Sequence, residues 1–382
     1  MPSSCCRVLL SVIITVLCST TIATMTSLVG QFISDLVFDP PSHLHAFEAH
    51  LAAPAVTAVG VVDGEMSGSS VRVFYPACKS RGWLPVVRAK WLPIRTRMAK
   101  AVRLAQRSLD VSVLSRLVLR IICWILSLIP TIFLIGLPDT YNEAEPVAYK
   151  HARYPILVWL PEYGGLAEEN SLLLAEIAAS VPAIVLVVEA KADRELTSSR
   201  QGRLERVITE LTSKQAGSVG LFARVLQSAD MTLFCLGGAG LGGATVLNYL
   251  SDHREGRHVA CSVIIDGHAF APSTDSDRYP PTLLMSSTEM QADRKAAAAI
   301  RFVPGARLLT SRNTLRTDLT ELCFWTPRLI GGLLLRLLHL SHPDQKDARE
   351  AYNETVRWVT AFVQANTVTS VSSCEDSDIQ QR

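Results

Sequence analysis

Between residues 154 and 365 short apolar runs alternate with polar stretches of helical length. The runs are YPILVWL (154–160), AIVLVVE (183–189), MTLFCLG (231–237), CSVIID (261–266) and TLLMSS (282–287). Each is nearly unbroken, as a strand buried on both faces must be, so the pattern predicts a mostly parallel sheet with crossover helices on both faces. An earlier segment, VRVFY (71–75), alternates instead, as an edge strand does. A last amphipathic stretch over 346–364 predicts a closing helix, and the polar, serine-rich tail 367–382 predicts disorder.

Two further apolar segments lie outside this pattern. Arg7 is followed by an apolar run from Val8 to Leu17 and then by small residues, the order of a signal peptide or signal anchor over 1–28, with a linker over 29–57. Either form places the rest of the chain in the secretory lumen or outside the cell, where Asn353-Glu354-Thr355 is a glycosylation sequon. The second segment belongs to an insertion over 84–140. Arg88, Lys90, Arg95, Arg97, Lys100, Arg103 and Arg107 lead, through Arg116 and Arg120, into the seventeen uncharged residues 121–137. This is a basic stretch feeding a membrane-length apolar one.

Composition narrows the classes further. With 48% hydrophobic and 19% charged residues, the 382-residue chain is neither disordered nor collagen-like nor a small disulfide scaffold. A mean hydropathy of +0.24 agrees with contact between part of the chain and lipid. A net charge of +2 gives no nucleic-acid footprint. The nine cysteines form no CxxC pair and are odd in number, which supports neither a zinc site nor a disulfide framework. Cys5 and Cys6 beside Arg7 sit where palmitoylation is conceivable, and His43, His45 and His50 read as a solvated loop.

The stretch carrying most chemistry is MTLFCLGGAGLGGATVLNYL (231–250), a strand that runs through a glycine-rich turn into a helix. Gly238-x-Gly240-x-x-Gly243 fits the dinucleotide fingerprint, with Asp266 as the ribose-binding acid at the next strand's end. The same text fits the frame of a nucleophile elbow, small-x-Ser-x-Gly, as Gly238-Ala239-Gly240-Leu241-Gly242. The serine of that frame is missing.

Here the chain resembles the platelet-activating factor acetylhydrolases, lipid esterases of the α/β-hydrolase fold that remove short sn-2 acyl groups from phospholipids. The family's elbow GHSFGGAT is similar to GAGLGGAT (238–245). VRVFYPA (71–77) looks like its first conserved strand, RYPILVWLPEYGG (153–165) like its central strand and oxyanion loop, and VVEAKAD (187–193) like its VEHRD segment. ACSVIIDGHAF (260–270) is similar to the strand bearing the triad acid, and TLLMSSTEMQ (282–291) to the strand after it. The resemblance covers 58–366, and it implies an α/β-hydrolase domain over that span that needs no cofactor and no metal.

Carried over residue by residue, the resemblance assigns Asp266 to the triad acid, Gly240 to the nucleophile and Asn313 to the base. Backbone amides of Tyr163 and Leu241 stand at the oxyanion hole. Glycine cannot attack a carbonyl, and asparagine is no base near neutral pH, so the acyl-enzyme route loses two of its three groups. Other candidates are weaker. Ser218 has the elbow spelling without a preceding apolar strand, Cys235 and Thr245 read as packing residues, and His268 lies too close in sequence to Asp266 to be oriented by it.

The resemblance also requires 71–75 and 154–160 to share one sheet, so a single membrane crossing at 121–137 would separate strands that must pair. An interfacial helix suits the segment better, with the basic run on anionic headgroups. The expectation is an inactive, lipid-binding homologue at a membrane surface, with phospholipid and an active paralogue as partners. Two alternatives stay open: an active carboxylic-ester hydrolase of the same family, and a dinucleotide-binding protein.

Overall fold

The computed structural model describes residues 58–77, 88–90, 136–147, 153–162, 167–168, 170–189, 197–213, 220–253, 259–267, 279–292, 303, 305–312, 314, 319 and 348–379. Among the described residues ten strands form one sheet. They are β1 (Ala58–Met66), β2 (Ser69–Ala77), β3 (Arg88–Lys90), β4 (Gly136–Asn142), β5 (Tyr154–Leu160), β6 (Ile184–Val188), β7 (Ala229–Ala239), β8 (Val259–Ile265), β9 (Thr282–Ser287) and β10 (Ala306–Ser311). The helices are α1 (Ser171–Ser180), α2 (Thr197–Thr212), α3 (Leu221–Gln227), α4 (Leu241–Asp252), α5 (Thr288–Ala292) and α6 (Ala348–Ile379).

The strand order is β10-β9-β8-β7-β5-β6-β2-β1-β4-β3. From β10 to β6 every pair is parallel, and β2 then runs antiparallel to both β6 and β1. Along β5, Ile156 and Val158 join the core on one face while Leu157 and Trp159 join the core on the other. In β6, Ile184, Leu186 and Val188 oppose Val185 and Val187 in the same way. Two buried faces account for the unbroken apolar runs. Side chains from α2, α3 and α4 fill the first core, and those from α1 and α6 fill the second. This is an α/β-hydrolase-type fold, a mostly parallel sheet with helices on both faces.

Several expectations need correction. The alternating segment 71–75 lies inside β2, an interior strand hydrogen-bonded to β1 and β6. Its polar position, Arg72, is 3% exposed, because a buried ion pair takes the place of solvent. Strands β1, β3, β4 and β10 carried no separate signal. The described ends of the 84–140 insertion are β3 and β4, and the last residues of the apolar run, Gly136 and Leu137, open β4. Lys90 and Gly136 are register partners, so the chain re-enters the sheet beside the point where it left. One membrane crossing between them is incompatible with that pairing. Among the described residues no helix is long and apolar enough to span a membrane.

Helix α6 continues to Ile379, through the stretch expected to be disordered. No proline or glycine follows Asn366, and extending an existing helix avoids the cost of nucleation. On α6, Asn353 is exposed while Thr355 of the same sequon is fully buried, its hydroxyl donating to the Ala351 carbonyl. The leader, the linker, Ser218, His268 and most of the insertion lie outside the described residues.

Candidate functional site

The order of strands reverses between β5 and β7. From β5 the chain adds β6 on one side, then crosses to β7 on the other and proceeds to β8, β9 and β10. A parallel sheet opens a crevice at such a switch point, beyond the carboxyl ends of its strands, and ligands bind there. The glycine turn stands at the end of β7, and Pro161-Glu162 continues from the end of β5.

Gly240 ends the turn as the N-cap of α4, with φ 52° and ψ −119°. An L-residue reaches that backbone only under strain, and this strained turn is the one by which an elbow lifts its nucleophile. The Gly240 amide donates to the Ile265 carbonyl at 2.8 Å, and its own carbonyl accepts from the Ala244 amide at 3.0 Å. Both bonds fix the turn from the backbone alone. Gly242, two residues on, lies so close to β5 that a Cβ there would stand 2.2 Å from the Leu160 oxygen and 2.5 Å from the Pro161 oxygen. Strand, strained glycine turn and close-packed helix are therefore all present, and position 240 at the turn carries no side chain.

Asp266 follows β8 and is 2% exposed, with a left-handed φ of 45°. Its amide donates to the Met285 carbonyl at 2.8 Å, and its Oδ1 accepts from the Ser287 amide at 2.7 Å. The bond between Gly240 and Ile265 puts Gly240 and Asp266 side by side at the ends of neighbouring strands. Buried and engaged with Ser287, Asp266 does not suit the ribose-binding role of the dinucleotide alternative.

Asn313 and Tyr163 lie outside the described residues. The neighbours of Asn313 are placed, however. Thr314 is buried, its hydroxyl donating to the Ser311 carbonyl at 2.8 Å, while its carbonyl accepts from the Thr288 amide at 3.1 Å. These bonds tie Ser311 and Thr314 to Thr288 at the end of β9, the strand after the one that Asp266 follows. Leu241 opens α4 and is half-buried. Cys235 is 1% exposed in the core, and the buried Thr245 hydroxyl donates to the Leu241 carbonyl at 2.8 Å, so both are packing residues.

Sequence reasoning missed the groups that hold the β5 exit. Arg200 of α2, buried, donates from one guanidinium nitrogen to the Pro161 carbonyl at 3.2 Å and to the Glu162 carbonyl at 3.1 Å. On the opposite face Arg72 binds Asp63 through Nε at 2.8 Å and reaches Glu168 at 3.7 Å. Burial pulls the Arg72 pKa down, but the hydrogen bond to Asp63 and the charges of Glu168, Asp63 and Glu189 outweigh it and leave it above the ordinary value. Nothing local marked these residues, because an arginine in an alternating strand or on a polar helix reads as solvated.

One prediction arises at the turn. Gly240→Ser and Gly240→Ala are each expected to cost about 1–3 kcal/mol, because the penalty belongs to the Cβ at this φ and not to the hydroxyl. Thermal unfolding measures it, and a Gly240→Ser protein that melts at or above the wild-type temperature would show that the turn is not held in this conformation.

No protein-family model matches the sequence, and no curated protein matches it. Among solved structures, a ferulic acid esterase from Streptomyces cinnamoneus is similar with a TM-score of 0.53 and 16% identity, over 83% of this chain and 92% of that one. The structure of DphMB1 is similar at a TM-score of 0.40 and 11% identity, over 81% of this chain and 89% of that one. The likeness to the esterase establishes the hydrolase-type fold. It leaves the lipid-esterase resemblance resting on the sequence motifs.

Proposed function

We propose that this chain is a catalytically inactive, lipid-binding homologue of the platelet-activating factor acetylhydrolases, acting at a membrane surface of the secretory pathway. The observation that carries it is Gly240, which occupies the elbow conformation at φ 52° and ψ −119° with no side chain to attack a carbonyl. Loss of one triad member in known serine hydrolases costs about 10⁴–10⁶ in rate, and here the base position also holds asparagine, Asn313. The reading is supported by Asp266, buried with a left-handed φ, and by Gly242, which lets α4 pack against β5. A phospholipid is the ligand class, drawn by the basic run 88–107 and the apolar run 121–137, and an active paralogue is the proposed protein partner.

The test uses the full chain. Wild-type protein should neither react with a fluorophosphonate probe nor hydrolyse a short-chain sn-2 phospholipid above a mock preparation. It should float with vesicles containing phosphatidylserine more than with pure phosphatidylcholine vesicles. The Gly240→Ser/Asn313→His protein serves as comparison, and a response confined to it supports the proposal. Labelling of the wild type would overturn inactivity and make Ser218 the first suspect, while equal flotation with both vesicle types would overturn the membrane part.

A further inference from the structure

Two thiols meet in the core beneath the glycine turn. Cys235 of β7 and Cys261 of β8 are 26 residues apart in sequence, yet their sulfurs lie 3.2 Å from one another. They are 1% and 0% exposed, within the core on the α1 and α6 face of the sheet, and no disulfide joins them. The β7–β8 register shifts between Phe234 and Leu236, so Cys235 sits at an irregular step of the ladder. A disulfide needs the sulfurs about 2.05 Å apart, so the two that lie 3.2 Å from one another need only a small further approach to bond.

We propose that Cys235 and Cys261 form a cross-strand disulfide when the chain folds in the presence of glutathione disulfide, and remain a reduced pair when it folds without an oxidant. One cysteine thiolate attacks glutathione disulfide, giving a protein–glutathione mixed disulfide and releasing one glutathione. The other thiolate then attacks the protein sulfur of that mixed disulfide and releases the second glutathione. Two protein thiols are oxidised, one glutathione disulfide is reduced to two thiols, and the two protons pass to the released glutathione.

The folded state closes this route. Neither sulfur meets solvent, and the Cys261 thiol is held well above its ordinary pKa, first by its hydrogen bond with Cys235 and then by burial. The choice is therefore made before β7 and β8 close, and it persists afterwards. The bridge would lie five residues below both Gly240 and Asp266, tying together the two strands that present the elbow and the acid. It stands independently of the proposed function.

The experiment is cell-free synthesis of the full chain with glutathione disulfide added either during synthesis or only after folding. Denaturation in N-ethylmaleimide and peptide mapping before and after reduction follow. Addition during synthesis should yield a reducible cross-linked peptide joining Cys235 to Cys261 in most chains. Late addition should leave both residues alkylated, and a Cys235→Ser chain should lack the linked peptide under either schedule. The proposal is overturned if both cysteines are alkylated after early addition, if either pairs with another cysteine, or if late addition bridges them as readily.

Discussion

Gly242→Ala should destabilise the protein by about 3 kcal/mol or more, while Gly202→Ala should stabilise it. A Cβ at Gly242 would stand 2.2 Å from the Leu160 oxygen and 2.7 Å from the Leu160 carbonyl carbon. These are backbone atoms of a central strand, paired with β6 on one side and β7 on the other, so they cannot yield as a side chain could. Overpacking a core costs about 1–3 kcal/mol even where side chains shift, and a clash with sheet backbone belongs at or above the top of that range. Gly202 provides the contrast. It lies inside α2 with its nearest foreign atom, an Arg206 guanidinium nitrogen, at 3.8 Å, and alanine there saves about 0.5–1 kcal/mol of backbone entropy. Urea unfolding of the two variants should move the midpoint in opposite directions. Equal midpoints for Gly242→Ala and wild type would mean that α4 does not pack this closely on β5.

Arg72→Met should cost about 3–5 kcal/mol, the range seen when one partner of a buried ion pair is removed and the other is left behind. Both side chains of the Arg72–Glu168 pair are buried, at 4% and 1% exposure, whereas Asp63 is 53% exposed and returns to water cheaply. The loss therefore falls on Glu168, which precedes α1 and whose carbonyl accepts from the Ser171 hydroxyl at 3.0 Å. Replacing both members, as Arg72→Met/Glu168→Gln, should recover at least about 1 kcal/mol of that loss, since no buried charge is then left uncompensated. Urea unfolding of the wild type, both single variants and the double variant forms a double-mutant cycle. Additive costs would show that Arg72 and Glu168 do not interact across the end of the sheet.

The two arginines share one consequence for the site. Arg200 holds the carbonyls of Pro161 and Glu162 from the α2 side, Arg72 anchors Glu168 from the other, and Gly242 closes on the Leu160 and Pro161 oxygens from α4. The exit of β5 is thus fixed from three directions, beside a turn at which position 240 is glycine.

Much of the fold was legible without coordinates. A strand covered on both faces must be apolar at successive positions, and only a sheet layered between helices buries strands that way, so the runs at 154–160 and 183–189 already implied a parallel sheet. The spelling from Gly238 to Gly242 likewise implied a strand-to-helix turn, because close backbone approach and a left-handed φ both call for glycine. The absence of serine at 240 is a fact of composition, which no folding alters.

Tertiary structure decided the rest, because those outcomes depend on which distant segments meet. VRVFY alternates as an edge strand does, and only the pairing of β2 with both β1 and β6 makes it interior. Arg72 reads as solvated until the approach of Glu168 gives its charge a buried partner. β4, which takes only its first two residues from the apolar run, gave no signal because its pairing with β1 is a contact across the whole insertion. Cys235 and Cys261 are unremarkable in sequence, and the register of β7 on β8 brings their sulfurs together. Local pattern follows from the chemistry of each residue and its near neighbours, whereas register, ion pairing and sulfur contact arise only once the sheet has closed.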